Sequence, residues 1–224
     1  MNDAVNADFS RRAVVHSAAA RWQPSPSESV WRKRLDLAGP SEASRVTSVV
    51  RYDADSAFPS HPHPDGEEIL VLDGVFSDQH GDYPAGTYLL NPEGFFHAPF
   101  SKAGCVLFVK LRQYPGAGRR QVIVDTNTGP WRPGSAPGIT ALPLYAEKGF
   151  PETMRLVRFA AGAQSPFHGH PGGEEVFVLD GDLHDGFGDY TAGSWVRMPA
   201  GSSHTARSDG GCTLYVKAGH LAGA

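Results

Sequence analysis

Cysteine is close to absent from this chain of 224 residues, which contains only Cys105 and Cys212. Each stands in an apolar run at the same place in a repeated pattern, so both read as buried core thiols and no disulfide is expected. Long apolar runs are missing too. No window approaches the ~20 apolar residues of a membrane span, and Met1 to Arg12 holds no apolar segment of the signal-peptide kind. A cytoplasmic protein without a membrane partner is therefore expected. Charge of one sign is scarce: 20 Lys and Arg face 24 Asp and Glu, for a net charge of −4. With a pI near 6.2, the chain has no electrostatic footprint for nucleic acid. Sustained 3.6-residue periodicity is lacking, which excludes helical bundles and predicts an all-β protein.

What the chain has instead is a duplication. Adding 107 to His61, His63, Glu67, Gly74, Gly86, Pro92, Gly94 and His97 gives His168, His170, Glu174, Gly181, Gly193, Pro199, Gly201 and His204. Upstream the offset becomes 109, where Trp22 matches Trp131, Pro24 matches Pro133 and Leu35 matches Leu144. The repeat starts near Arg11. It predicts a frayed tail at residues 1–10, one domain over 11–118 and a second over 119–224, with Tyr114 to Arg119 as linker. Each copy is a series of short strands punctuated by Gly, Pro and Asp. Ala13 to Ala20 alone has a helix-forming composition, yet its partner Val122-Ile123-Val124 is β-branched, so a strand is predicted at Ala13 to Val15 and at its counterpart. Asp73-Gly74 and Asp180-Gly181 read as hairpin turns. Asn91-Pro92-Glu93-Gly94 and Met198-Pro199-Ala200-Gly201 read as turns that aim the histidine three residues on.

Side chains two apart on a strand share a face, so His61 and His63 project together. Glu67 re-enters after the Pro64-Asp65-Gly66 turn and His97 closes the set; His168, His170, Glu174 and His204 repeat it. Three imidazoles and one carboxylate suit a divalent transition metal (Zn, Fe, Mn, Ni or Co) rather than Ca or Mg. In an octahedral shell, four protein ligands leave two positions for water, substrate or O2. Two metal ions per chain are expected. Glu68 and Glu175 adjoin the ligands, but period-two alternation turns one of each pair away, so these neighbours read as surface residues or as acceptors behind the shell. His16, His80, His184 and His220 have no repeat partner and read as surface or turn histidines.

These residues resemble the two cupin motifs. The first, G(x)5HxH(x)3-4E(x)6G, is complete from Gly162 through His168, His170 and Glu174 to Gly181, while Asp55 replaces its leading glycine in the first copy. The second, G(x)5PxG(x)2H(x)3N, runs from Gly86 to His97 and from Gly193 to His204, with Ser101 and Ser208 in place of the asparagine. The stretch from Gly66 to Phe76, with Asp82-Tyr83-Pro84-Ala85-Gly86 after it, is similar to the cupin domain of ChrR-type anti-sigma factors, here duplicated. The resemblance implies a bicupin of two tandem cupin barrels, each a double-stranded β-helix or jelly roll. In that family the cupin domain is a metal-binding barrel of an oxidative-stress sensor, and a separate N-terminal zinc domain grips the sigma factor. No Cys/His cluster of that kind is found in this sequence, so sigma-factor binding is not expected. Bicupin relatives include dioxygenases and decarboxylases, which implies a metal-dependent dioxygenase acting on a small oxygenated substrate. A non-catalytic metal-binding sensor is the other reading. No motif names a substrate or a catalytic acid or base. A small-molecule ligand and a monomeric or homodimeric state complete the expectations.

Overall fold

The computed structural model describes residues 4–39 and 44–222, and their regular structure is entirely β. The chain forms two compact units, which are not its two contiguous halves. The first takes residues 1–7 and 21–128, the second 8–20 and 129–224. No helix among the described residues is long and apolar enough to cross a membrane.

In the first unit the main sheet runs in the order Val122–Asp125, Thr87–Asn91, Glu67–Asp78, Cys105–Leu111, Val46–Tyr52, Val30–Leu37 and Gln23–Pro24. The second repeats it with Ala13–His16, Ser194–Met198, Glu174–Asp185, Cys212–Ala218, Thr153–Phe159, Ile139–Ala146 and Arg132–Pro133. Ala13–His16, expected as a strand, is one. Its partner, however, is Ser194–Met198, with Ala13 opposite Arg197. Its counterpart Val122–Asp125 pairs with Thr87–Asn91. Each copy's opening strand thus completes the sheet built by the other copy, so the compact units differ from the contiguous repeats 11–118 and 119–224 by these opening segments.

Two further expectations change for the same reason. Tyr114 to Arg119 is not a free linker, because Tyr114 is fully buried and donates its amide to Asp65 O while its hydroxyl donates to Arg120 O. The expected tail at residues 1–10 is tied down over its described part: Val5 bridges Leu37, and Asp8 O accepts from Arg197 Nη2. Residues 1–3 lie outside the described residues.

Gly74 and Gly181 do not close hairpins. They sit inside the long strands Glu67–Asp78 and Glu174–Asp185 at φ of +73° and +78°, beside register shifts that mark β-bulges. A Cβ there would meet Gly104 O at 2.2 Å and Gly211 O at 1.9 Å, so neither space nor backbone conformation admits a side chain. At the cupin motif's leading position, Asp55 takes the left-handed φ of +58° that Gly162 takes at +75°.

Apolar residues alternate inward along these strands. Val50, Ile69, Val71, Phe76 and Leu107 belong to the first core, and Val157, Val176, Val178, Leu183 and Leu214 to the second. The opposite strand face is buried as well. Glu68 accepts from Tyr88 Oη at 2.9 Å, and Glu175 accepts from Trp195 Nε1 at 3.2 Å and pairs with His220 at 3.0 Å. Neither glutamate is a surface residue, and His220 lies in a turn, as one of the two expectations had it, with its side chain buried.

The glycines generate a first prediction. Gly74→Ala should cost about 2–4 kcal/mol from backbone strain and overlap, whereas Gly94→Ala, with nothing within 4 Å of its Cβ position, should cost about 1 kcal/mol; chemical denaturation of the two variants checks the ranking. The exchanged strands generate a second. Val14 packs against the second unit's core, so Val14→Asp should speed amide exchange in Ser194–Met198 and leave Thr87–Asn91 protected. Faster exchange in the first unit instead would contradict the pairing.

Candidate metal centres

A two-stranded ladder carries the ligands in each unit. His61–Pro62 pairs with Phe96–His97 so that His61 faces His97, and His168–His170 pairs with Ser202–His204 so that His168 faces His204. The turns before the last histidine behave as expected: the amides of Gly94 and Gly201 donate to His63 O and His170 O, tying the ladder's two sides together. Glu67 and Glu174 begin the long central strands and point into the same interior.

In the second unit, His168, His170, Glu174 and His204 each present a ligand atom within 4.8 Å of the others. In the first, His61, His63 and His97 share that radius, and Glu67 Oε2 lies 3.5 Å from the Nε2 of both His63 and His97. His63 Nε2 and His97 Nε2 are 2.9 Å apart, the spacing of two ligands at right angles around an ion with bonds of about 2.1 Å. His170 Nδ1 lies 3.6 Å from Glu174 Oε2, and His170 Nε2 is buried without a hydrogen-bond partner. The donor set and these atoms fit a divalent transition ion.

Groups behind the ligands fix their protonation. His61 and His168 place Nδ1 2.9 Å from the carbonyls of Pro59 and Pro166. A carbonyl only accepts, so Nδ1 carries the proton and Nε2 keeps its lone pair. His97 Nδ1 lies 3.1 Å from Asp78 Oδ2 and His204 Nδ1 lies 3.0 Å from Asp185 Oδ2, the carboxylate–histidine pairing found behind metal ligands. Tyr83 and Tyr190 donate to the other oxygen of the same aspartates at 3.3 and 2.8 Å. Burial alone would raise Asp185, but hydrogen bonds from His204, the Phe187 amide and Tyr190 hold its carboxyl at about 2. Burial pushes His63 down to about 3, helped by His61, and lowers His97 and His170 against the pull of their carboxylate neighbours. Neutral imidazole is the form that ligates. Burial raises the Glu67 carboxyl, opposed by His97 and by the Asn91 amide.

Asp78 and Asp185 escaped the sequence reading although they too are separated by 107, as are Tyr83 and Tyr190; that spacing was the available signal. The exchanged segments also reach the centres. Gln121 Nε2 donates to Asn91 Oδ1, and Asn91 Nδ2 donates to Glu67 Oε2. Its repeat counterpart Arg12 donates to the Tyr190 hydroxyl and lies 3.9 Å from Asp185 Oδ1. Met198 stands at the Asn91 position in the second unit, where Arg155 Nη2 holds Glu174 Oε2 at 3.2 Å instead.

The cavities above the centres differ. The first unit has about 80 Å³ next to His61, His63, Glu67 and His97; a cleft of about 390 Å³ adjoins it along Arg32, Phe58, His61, His63 and Leu111, reaching His61 and His63 but not Glu67 or His97. The second unit encloses about 410 Å³ reaching His168, Glu174 and His204. His184, by contrast, is tied to Asp182 and Asp189 away from the centre.

Two barrels of this topology in one chain, each with three histidines and a glutamate converging inside, define a bicupin. The ChrR Cupin-like domain model matches it twice, over residues 10–115 and 119–222, and the chain belongs to that family. Similar solved structures include a candidate dioxygenase from Nostoc punctiforme (14% identity, 95% of this chain and 84% of that one, TM-score 0.76). Others are the oxalate decarboxylase of Lactobacillus farciminis with formate (11%, 93% and 86%, 0.68) and the Escherichia coli pirin YhhW with nickel(II) (12%, 93% and 98%, 0.69). At these identities they share the fold. No curated protein matches the chain.

Removing the carboxylate behind a ligand tests this arrangement. In a His61→Ala background that leaves the second centre to report, Asp185→Asn should weaken zinc binding by about 10- to 100-fold, read by competition with a chromophoric chelator. Unchanged affinity would show that Asp185 does not orient His204.

Proposed function

We propose that each barrel holds one divalent transition metal through three histidines and one glutamate, and that the protein is a metal-dependent dioxygenase acting on a small oxygenated substrate. The carrying observation is the cavity of about 410 Å³ that reaches three of the four ligands of the second centre, within the range of about 300–1,000 Å³ common to small-ligand sites. A closed structural site needs no such space. The dioxygenase description of the Nostoc protein supports the same reaction class.

A bound iron or manganese ion would supply redox and Lewis-acid chemistry. The chain's own residues do the rest. His168 keeps its proton on the Pro166 carbonyl side, Asp185 keeps that of His204 on Nδ1, and Arg155 holds the Glu174 oxygen. Val157, Val176 and Leu214 give the cavity an apolar wall around these groups.

Elemental analysis should find two metal ions per chain, and one after His63→Ala. Iron-loaded protein should consume O2 in a screen of β-diketones and small acids, and zinc-loaded protein should not, since zinc has no accessible redox change. Uptake that persists in zinc-only protein would sink the oxygenase reading. Failure of every metal form to turn over, with ligands still shifting stability, would favour the sensor.

A further inference from the structure

The two cavities are walled largely by equivalent positions, and three of the exchanged wall residues stand out by their size. Arg32, Phe58 and Phe76 line the first cavity, while Ala141, Ser165 and Leu183 stand at the corresponding positions of the second. Each exchange removes side-chain volume. The second cavity keeps one cation: Arg155, on Thr153–Phe159, replaces Ser48 of the first copy and lines the space together with Glu174. Its side chain is 36% exposed, and one guanidinium nitrogen is bound to Glu174 Oε2. A guanidinium carries five N–H donors in a planar fork, so donors remain for a second acceptor. The rest of the wall is mainly aliphatic, with Ile139, Val157, Val176 and Val216 among its residues.

Charge and shape together specify a ligand class. Three neutral imidazoles, one carboxylate, one guanidinium and a divalent ion leave the centre positive, and the surrounding wall offers little else that is polar. We propose that the second barrel alone admits the substrate, and that this substrate is a small organic acid whose carboxylate is held by Arg155 beside the metal position and whose apolar body fills the aliphatic chamber. This rests on the metal-centre reading above. In the first barrel only about 80 Å³ reaches Glu67 and His97, and the cleft of about 390 Å³ meets just His61 and His63 of the ligand set, so such a body does not reach the whole centre. Arg155 is then a binding residue for the acid as well as a positioning residue for Glu174.

Calorimetric titration of cobalt-loaded protein with hexanoate and benzoate, and with hexanamide and benzamide as neutral counterparts, tests this directly. The acids should bind once per chain, at least about 10-fold tighter than the amides, which is the scale of a charge-assisted hydrogen bond. Ser165→Phe should abolish acid binding while two cobalt ions per chain remain by elemental analysis. Arg155→Met should erase the preference for acid over amide, and Arg155→Lys should restore part of it. Equal binding of acids and amides, undiminished binding in Ser165→Phe, or no binding to the cobalt-loaded wild type would each overturn the proposal. The metal count, read separately, shows whether the metal-centre reading fails with it.

Discussion

Each unit gathers three imidazoles, two of them buried, and a buried carboxylate inside an apolar barrel, and this polar cluster dictates what surrounds it. An unpaired polar atom in such an interior costs about 1–3 kcal/mol, and more when charged. His170 Nε2, buried and without a partner, is one such atom. A divalent ion is held only if every imidazole arrives neutral and turned the right way. For His61, His168, His97 and His204 the backbone carbonyls of Pro59 and Pro166 and the carboxylates of Asp78 and Asp185 perform that task by accepting from the far ring nitrogen. The ladder pairing His61 with His97, and His168 with His204, then fixes the separation of the rings. Tyr83 and Tyr190, one step further out, hold the aspartates.

The strand exchange belongs to the same chain of support. Gln121 follows the first copy's repeat boundary yet steadies Asn91 and through it Glu67; Arg12 opens the chain yet leans on Tyr190 and Asp185. Each centre therefore takes an outer hydrogen-bonding partner from the segment that opens the other copy. The two ligand clusters are separate, but neither half of the sequence carries all the parts that support one cluster.

The convergence of the three histidines and the glutamate was legible because histidine is uncommon and its positions recur at one offset in both copies. All-β structure was legible because glycine and proline break every segment before a helical period develops. Strand partners were not. A repeat states which strands are equivalent, and Ala13–His16 fits the edge beside Ser194–Met198 as well as its equivalent beside Thr87–Asn91, so the pattern is silent about which edge each strand takes. Glu68 and Glu175 were misread because alternation says only that they face away from the ligands; here that face is also buried, with Tyr88 and Trp195 as donors. Gly74 and Gly181 look like turn residues, since a left-handed glycine at a bulge and one in a hairpin have the same sequence signature.

The two copies keep the polar shell and vary the wall, and the energetics of burial explain why that is the easier direction of change. Replacing a ligand, or the aspartate behind it, strands a buried polar atom and loses the ion. Replacing Phe58 by Ser at position 165, or Arg32 by Ala at position 141, only opens volume at the mouth of a cavity, where water or a ligand fills it. Even inside the shell the tolerated exchange obeys this rule. Asn91 gives way to Met198, and the lost hydrogen bond to the glutamate is made by Arg155 from a different strand. That substitution sets a guanidinium beside Glu174 in the wider chamber, whereas the first chamber's guanidinium, Arg32, is one of the bulky residues that narrow it.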